Sequence, residues 1–488
     1  MAAVDVEPLV EVPRSPDGTV VLDALWDALP GADLLESADG AGWSYLVPPG
    51  GSRLVDDGVR TWLHDAAGAP RADLGTDPFE ALTRWCADHG LTPEAGTPSD
   101  GPPFTGGLLG AFAYDLGRRI ERVPVRAVDD RRAPHLSLRV AEVVVAIAPS
   151  RREALLLTHD LGSGRREVAR RADATRSAAA AAAAVDRATA TAGRSAQAAE
   201  VAPRAVTTSL PRERYLAAVR AVLDHIAAGD SFQVNLTQRL TTTWDGDLPA
   251  LYRALRAASP APHAACLHDV GVASVSPETF LRVTGRDVVT RPIKGTRPRD
   301  PDPALDGAMA DDLATSAKDR AENVMIVDLA RNDLGRVCEP GSVHVPELCA
   351  VEAHPTVWHL VSTVGGRLRP GVGYGDLLRA SFPCGSITGA PKVRAMAIVE
   401  SLEPVRRGWY CGAVGYLGAG AASLSVAIRT ATRHPDGTVD HGAGGGIVAD
   451  SDPTGEHDES WAKAAAFLRA TGAVRDDTDR EVTTGVRR

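Results

Sequence analysis

Apolar residues recur along this chain in two rhythms. Leu136 to Ile147 (LSLRVAEVVVAI) and Arg152 to Thr158 read as strands, as do the shorter runs Gly271 to Ser274, Phe280 to Thr284, Ala413 to Leu417 and Ser423 to Ile428. Asp77 to His89 has helical spacing, with Asp77 placed to cap it and Pro78 in its first turn. Arg212 to Ala228 is an amphipathic helix that stops at Gly229. These elements do not follow a regular strand–helix alternation, so the expected class is α+β with a largely antiparallel sheet core. No internal repeat of about 20–50 residues is evident.

One stretch breaks the pattern. Alanine runs unbroken from Ala178 to Ala184, flanked by Arg, Asp, Thr and Ser. Alanine favours helix, but so few large apolar side chains give a helix little to anchor it, so an exposed helix or loose connector is expected. This divides the chain into residues 1–170, a connector at 171–208, a main region at 209–475 and a polar tail at 476–488.

A hydrophobic fraction of 44% and a charged fraction of 24% are those of an ordinary globular protein. A net charge of -10 argues against nucleic acid or an anionic membrane as partner, though not against a small anionic substrate. Six scattered cysteines form no C-x-x-C pair, which argues for reduced thiols in a cytoplasmic protein and against zinc. No secretory signal or long apolar span is seen.

Four clusters in the second half carry candidate chemistry. Asp319 and Glu322 are three residues apart, as are Glu456 and Glu459, so each pair would share a helix face. Together they suit a hard divalent cation; singly, each reads as a solvated surface pair. Gly442-Ala443-Gly444-Gly445-Gly446 would let backbone N–H groups approach a carboxylate, or would simply be a flexible turn. Phe382 to Lys392 (FPCGSITGAPK) places hydroxyls in a loop before a helix, for an anion or merely for Thr388 to cap that helix. Lys294, in RPIKGTRPR, reads locally as a surface lysine, but burial or cationic neighbours would make it a nucleophile. The local rules end at an anion-binding metal site and name no reaction.

Taken together, these motifs resemble the chorismate-utilising enzymes, which include component I of anthranilate synthase and of aminodeoxychorismate synthase. The resemblance runs from about Ser209 to Gly472. It includes GDSFQVNL from Gly229, Ser276-Pro277-Glu278, AENVMIVDLARNDLGR from Ala321, FPCGSITGAPKVRAM from Phe382, Ala427 to Thr430 and Gly444 to Lys463. Before the connector only Leu34-Leu35-Glu36-Ser37 and GGLLGAFAYDLGRRIE from Gly106 match.

The resemblance implies two packed, mostly antiparallel sheets with helices outside, to which the N-terminal region adds strands. It implies that Glu322 and Glu459 ligate Mg²⁺ with help from Asp319 and Glu456. Gly444, Gly445, Gly446 and Ser386 would meet the ring carboxylate, Arg429 and Tyr416 the enolpyruvyl carboxylate, with Lys463 nearby. His359 and Thr296 would line the ring, and Glu278 would be the general acid. Leu35, Glu36 and Ser37 resemble a segment that forms a tryptophan pocket, and equally fit a plain strand.

Position 294 looks like alanine in anthranilate synthases and lysine in aminodeoxychorismate synthases. The resemblance therefore implies that Lys294 attacks C2 of chorismate and that ammonia then aminates C4. No G-x-C-x-G nucleophile turn is present, so a separate glutamine amidotransferase subunit is expected to supply the ammonia. The alternatives are anthranilate synthase component I or, further off, a non-catalytic chorismate-binding scaffold for that subunit. Cys384, Ser460 and Asp300 depart from the usual pattern, where glycine or alanine, threonine, and glycine are common.

Overall fold

The structure, a computed structural model, describes residues 4–38, 40–96, 101–189, 204–354 and 357–475. Two large sheets, of 13 and 12 strands, dominate it. Among the described strands every ladder is antiparallel except that of Arg204–Thr208 with Ala473–Arg475. Both sheets combine strands from either side of the alanine-rich stretch. Asp33–Glu36 pairs with His263–Leu267 in the first sheet, and Gly107–Phe112 with Ala413–Gly418 in the second.

Side-chain alternation explains the layering. Val144 and Ala146 of Val143–Ile147, and Val414 and Tyr416 of Ala413–Gly418, meet in one apolar cluster between the sheets. Their neighbours Val143, Val145 and Ile147 point outward beneath helices, in a cluster with Trp26, Tyr252 and Phe467. Ala413 and Leu417 likewise point outward, among Phe79, Leu377 and Met396.

The run expected as one strand from Leu136 to Ile147 is two, Leu136–Ala141 and Val143–Ile147, and they belong to different sheets. Between them stands Glu142, buried, whose carboxylate accepts from the N–H groups of Leu161 and Ser163 and pairs with Arg171 at 3.2 Å. The chain changes sheets in the same way twice more. Val272–Ser276 lies in the first sheet and Thr279–Thr284 in the second, separated by Pro277 and Glu278. Ala421–Val426 lies in the second and Thr430–Arg433 in the first, separated by Ala427, Ile428 and Arg429.

Helix positions follow the local signals. Pro78–Asp88 is capped by Asp77, whose Oδ1 accepts from the N–H groups of Phe79 and Glu80. Arg212–Ala227 ends before Gly229, which has a φ of 79°. The alanine-rich segment is a helix, Arg165–Thr189, and it is not loose. Val168, Ala172 and Ala179 pack into the first sheet's outer core and Arg171 reaches Glu142. Small side chains let the helix approach closely, an anchorage that a search for large apolar residues overlooks. No helix among the described residues is long and apolar enough to cross a membrane.

Candidate active site

Two of the three sheet crossings carry site residues. At one, Glu278 is 3% exposed and its Oε1 has no hydrogen-bond partner. At the other, Arg429 adopts a φ of 51°, a left-handed conformation that a side chain rarely takes. The two crossings are stitched together. The N–H of Val426 donates to the Glu278 carbonyl at 3.0 Å, and that of Val275 to the Arg429 carbonyl at 3.1 Å.

Lys294 stands on strand Ile293–Pro298, which pairs with Val357–Arg367. The register slips between Ile293 and Thr296, a bulge of one extra residue that re-aims Lys294. Gly295 within it has a φ of 79°, and a Cβ there would lie 2.8 Å from Leu313 and 3.0 Å from Asp319, so the bulge is tucked under two helices. The Lys294 Nζ comes to rest against Gly446, 3.1 Å from where a Cβ on that glycine would sit.

The glycine run is not a flexible turn. Gly444, Gly445 and Gly446 belong to strand Thr438–Ile447, paired residue for residue with Gln233–Thr243. A Cβ on Gly444 would lie 2.1 Å from the Leu236 carbonyl. Helix Pro453–Thr471, capped by Asp452, starts across this strand and brings Glu456 and Glu459 over Gly445. Lys463 joins them, donating to Glu459 at 2.7 Å and to the Gly444 carbonyl at 3.0 Å.

Electrostatics set the protonation states. Burial raises the Glu278 carboxyl to about 7, against the opposing pull of Ser386, Lys294 and the Ile293 N–H. Burial also lowers the Lys294 amine from its ordinary value. Lys463 adds to that, while Glu322, Glu278 and Glu459 oppose it. His359 is held at about 3 by burial, with His354 and Arg429 nearby, so its ring is neutral and shares a hydrogen bond with Thr296 at 3.0 Å. Arg429 is lowered by burial, forms no ion pair among the described residues, and reaches only the Ser259 hydroxyl, at 3.4 Å. A half-buried guanidinium without an acidic partner among the described residues could receive a carboxylate.

Four acids were expected to hold a metal, and three of them, Glu322, Glu456 and Glu459, influence one another's charge. Burial raises Glu322, with Asp319 and Glu459 adding to it, and raises Glu456, with Glu459 adding. Burial works the same way on Glu459, but Lys463, Lys318 and Lys294 outweigh it and bring it below its ordinary value. Crowded carboxylates of this kind are hard-oxygen donors whose repulsion a divalent cation would relieve. No ready-made cage of three or more donors is present among the described residues; Mg²⁺ needs only one or two carboxylates with water. Asp319, expected as a helper, is engaged by another side chain. Its carboxylate is taken by Arg297 at 3.0 Å, and it braces the Lys294 bulge instead.

Three further expectations change. Tyr416 does not join Arg429; strand alternation turns it inward, stacked on Phe104 at 4.6 Å and edge-on to Tyr45. There it lines a cavity of about 470 Å³ with Ser37, Trp43, Tyr45, Pro262 and His263, and Leu35 borders the adjoining recess. The Glu36 carboxylate is committed elsewhere, to Tyr252 at 2.6 Å, Arg256 at 2.9 Å and Arg151 at 3.0 Å. Thr388 caps no helix; its hydroxyl donates within its own turn, to Cys384 and Gly385. Ser386 is buried beside Cys384, 3.3 Å from Oγ to Sγ, and all six cysteines are free and buried. A separate cavity of about 1000 Å³, bordered by Arg131, Arg239, Asp269 and Arg433, holds none of the expected site residues.

Two residues were missed. Lys318, one turn before Glu322, offsets the charge of all three glutamates. Gln233 faces Gly446 from the paired strand; it lies in a motif that already stood out, but nothing local marks which of its side chains enters the site.

Sheet order, crossings and site define the class. The family model described as chorismate binding enzyme matches residues 66–469, and the chain belongs to that family. It is 40% identical over 472 residues to the aminodeoxychorismate synthase component 1 of Klebsiella aerogenes, covering 94% of this chain and 98% of that one. It is also 40% identical to the anthranilate synthase component 1 of Streptomyces coelicolor, over 82% of this chain and 78% of that one. Among solved structures it resembles anthranilate synthase component I from Streptococcus pneumoniae, with a TM-score of 0.71, 26% identity, and 88% and 92% of the two chains covered. The protein is a chorismate-utilising enzyme.

Proposed function

We propose that this enzyme is an aminodeoxychorismate synthase component I, which converts chorismate and ammonia to 4-amino-4-deoxychorismate. The observation that carries this reading is the Lys294 amine, aimed by its bulge against Gly446 and close enough to Glu278 to feel its charge. Two relatives of different activity are equally identical to the chain, so overall identity does not choose between them. A half-buried lysine among these groups supports the first activity, because it supplies a nucleophile of its own.

Burial favours the neutral amine and keeps Glu278 protonated up to about pH 7. The Lys294 lone pair forms a bond to C2, the ring double bonds shift, and the C4–O bond breaks. Glu278 gives its proton to the departing hydroxyl, which leaves as water. Ammonia then bonds to C4, the C2–N bond breaks, and its electron pair returns to Lys294.

Arg429 receives the enolpyruvyl carboxylate. Ser386, Lys463 and the Gly444–Gly446 strand meet the ring carboxylate, and neutral His359, held by Thr296, lines the ring. Glu322 and Glu459, with Glu456, would hold Mg²⁺, which when bound neutralises carboxylate charge. A separate glutamine amidotransferase subunit, paired with this chain as a heterodimer, supplies ammonia for 4-aminobenzoate and thus folate or antibiotic-precursor synthesis in the cytoplasm. The Ser37 cavity, walled by Trp43, Tyr45 and Tyr416, suits a bound tryptophan.

The test is incubation with chorismate, Mg²⁺ and ammonium salt, with and without an aminodeoxychorismate lyase. A covalent adduct on the peptide containing Lys294, and 4-aminobenzoate only when lyase is added, are expected. Lys294→Ala should lose both. Anthranilate fluorescence without lyase would establish the anthranilate synthase alternative instead.

A further inference from the structure

Behind the glycine strand, an ion pair takes the place of a neighbouring strand. Strand Gln233–Thr243 faces Thr438–Ile447 on one edge, with Asn235 opposite Gly446 and Thr237 opposite Gly444. On its other edge, among the described residues, Gly389–Ala390 pairs with Gln233 and Val234, and Arg204–Thr208 with Leu240 and Thr241. Between those two stretches, Thr388, Glu403 and Arg407 take up the edge groups. The Asn235 N–H donates to the Thr388 carbonyl at 2.9 Å, and the Thr237 N–H and hydroxyl each donate to the Glu403 carboxylate at 2.8 Å. The Arg407 guanidinium donates to Glu403 twice, at 2.7 and 2.9 Å, to the Asn235 carbonyl at 2.6 Å and to the Ile387 carbonyl at 2.9 Å. The Arg407 and Glu403 side chains are 3% and 6% exposed, and the guanidinium lies over the Tyr114 ring, 4.6 Å from its centre. Ile387 follows Ser386 in the turn Gly385–Ile387. One planar cation therefore joins that turn to the strand that backs Gly444 and Gly446.

We propose that Arg407 is a positioning residue that sets the spacing between the Ser386 turn and the glycine strand, and with it the seat of the substrate's ring carboxylate; this rests on the reading above that those two elements meet that carboxylate. Two carbonyl oxygens and a carboxylate converge on one guanidinium. Without a cation between them these acceptors repel one another, and turn and strand move apart. Charge alone does not replace the planar fork. A lysine ammonium is a point charge on a flexible stem, able to neutralise Glu403 but not to hold two carbonyls in one plane with it. Thr237, Glu403 and Arg407 also border the cavity of about 1000 Å³, whose rim includes the exposed Arg132 and Pro435. A small solute can therefore reach the clamp from solvent.

The experiment follows chorismate consumption by the full chain with Mg²⁺ and saturating ammonium chloride. Arg407→Lys keeps the charge beside Glu403 and should stay folded at the assay temperature, yet raise the KM for chorismate about tenfold or more. Arg407→Ala should lose about a hundredfold in turnover. Methylguanidinium, entering through the cavity, should restore that turnover at least about tenfold, and methylammonium at the same concentration should not. An unchanged KM in folded Arg407→Lys overturns the proposal. So does equal rescue of Arg407→Ala by both cations, or rescue by neither, because Glu403 would then need only a counter-charge or the fork would have no part. Activity lost only in step with folded protein makes Arg407 scaffold and overturns it too. If Arg407→Ala does not fold, Arg407→Lys decides alone. Ser386→Ala separates the two levels: if it leaves the KM for chorismate unchanged, the parent reading of the ring-carboxylate seat falls and this one with it. A responsive Ser386→Ala with unresponsive Arg407 variants sinks this proposal alone.

Discussion

The Lys294 amine and the α-carbon of Gly446 are in such close register that a Cβ on the glycine would stand 3.1 Å from Nζ. That hydrogen-only position lets the Lys294 amine lie against the strand. Gly446→Ala should fold, since the obstruction is side-chain ends, but displace Lys294 and Gln233. A displacement near 1 Å at a reacting group costs about a hundredfold in rate. Gly444→Ala should behave oppositely. Its Cβ would meet the Leu236 backbone oxygen at 2.1 Å, so the sheet itself must give way. Thermal melts and kcat for the two variants, side by side, separate these outcomes.

The proposed mechanism requires Glu278 to be protonated to release the hydroxyl as water, and burial raises its carboxyl to about 7. Turnover by the full chain with excess ammonia should therefore fall as pH rises through about 7. Glu278→Gln should lower kcat about 10²–10⁴-fold. Stability carries the same signature. The folded carboxyl holds its proton from its ordinary value of 4.5 up to about 7, where the unfolded chain has lost it, so this group erodes stability as pH rises across that window. The loss is about 3 kcal/mol. Glu278→Gln should escape it, and chemical denaturation at pH 5 and pH 8 measures the difference.

Arg429 is a half-buried guanidinium without a carboxylate partner among the described residues. Replacing it by Met removes an uncompensated charge, so the fold should be no less stable. Binding should suffer instead. The KM for chorismate should rise about 10- to 100-fold, the worth of a charge-assisted hydrogen bond. A large fall in melting temperature with unchanged KM would assign Arg429 to the scaffold.

The acids divide into two sets. Glu322→Gln and Glu459→Gln should weaken Mg²⁺ activation by about 10- to 100-fold or more, read from the Mg²⁺ concentration giving half-maximal rate. Asp319→Asn should leave that concentration within about threefold of the parent, because Asp319 pairs with Arg297. Its effect should fall on kcat, through a loosened Lys294 bulge.

Local chemistry marked a great deal of this molecule. Asp77 and Pro78 announce a helix start, Gly229 a helix stop, and two acid pairs a shared helix face, because caps and periodicity act over a few residues. The residue type at 294 is likewise a property of the sequence, and the proposed activity rests on it. Alternation showed which side chains share a strand face, but not which sheet a strand joins or what that face meets. Leu136 to Ile147 therefore looked like one strand, although Glu142 passes the chain between sheets. Tyr416 faces the inter-sheet core and not Arg429, Asp319 goes to Arg297, and Gln233 arrives opposite Lys294. Each depends on partners distant in sequence, brought together by pairing and packing that no local pattern encodes. The sequence by itself determined the elements and the reactive groups; the tertiary structure decided which of those groups meet, because burial and contact are properties of the assembled sheets.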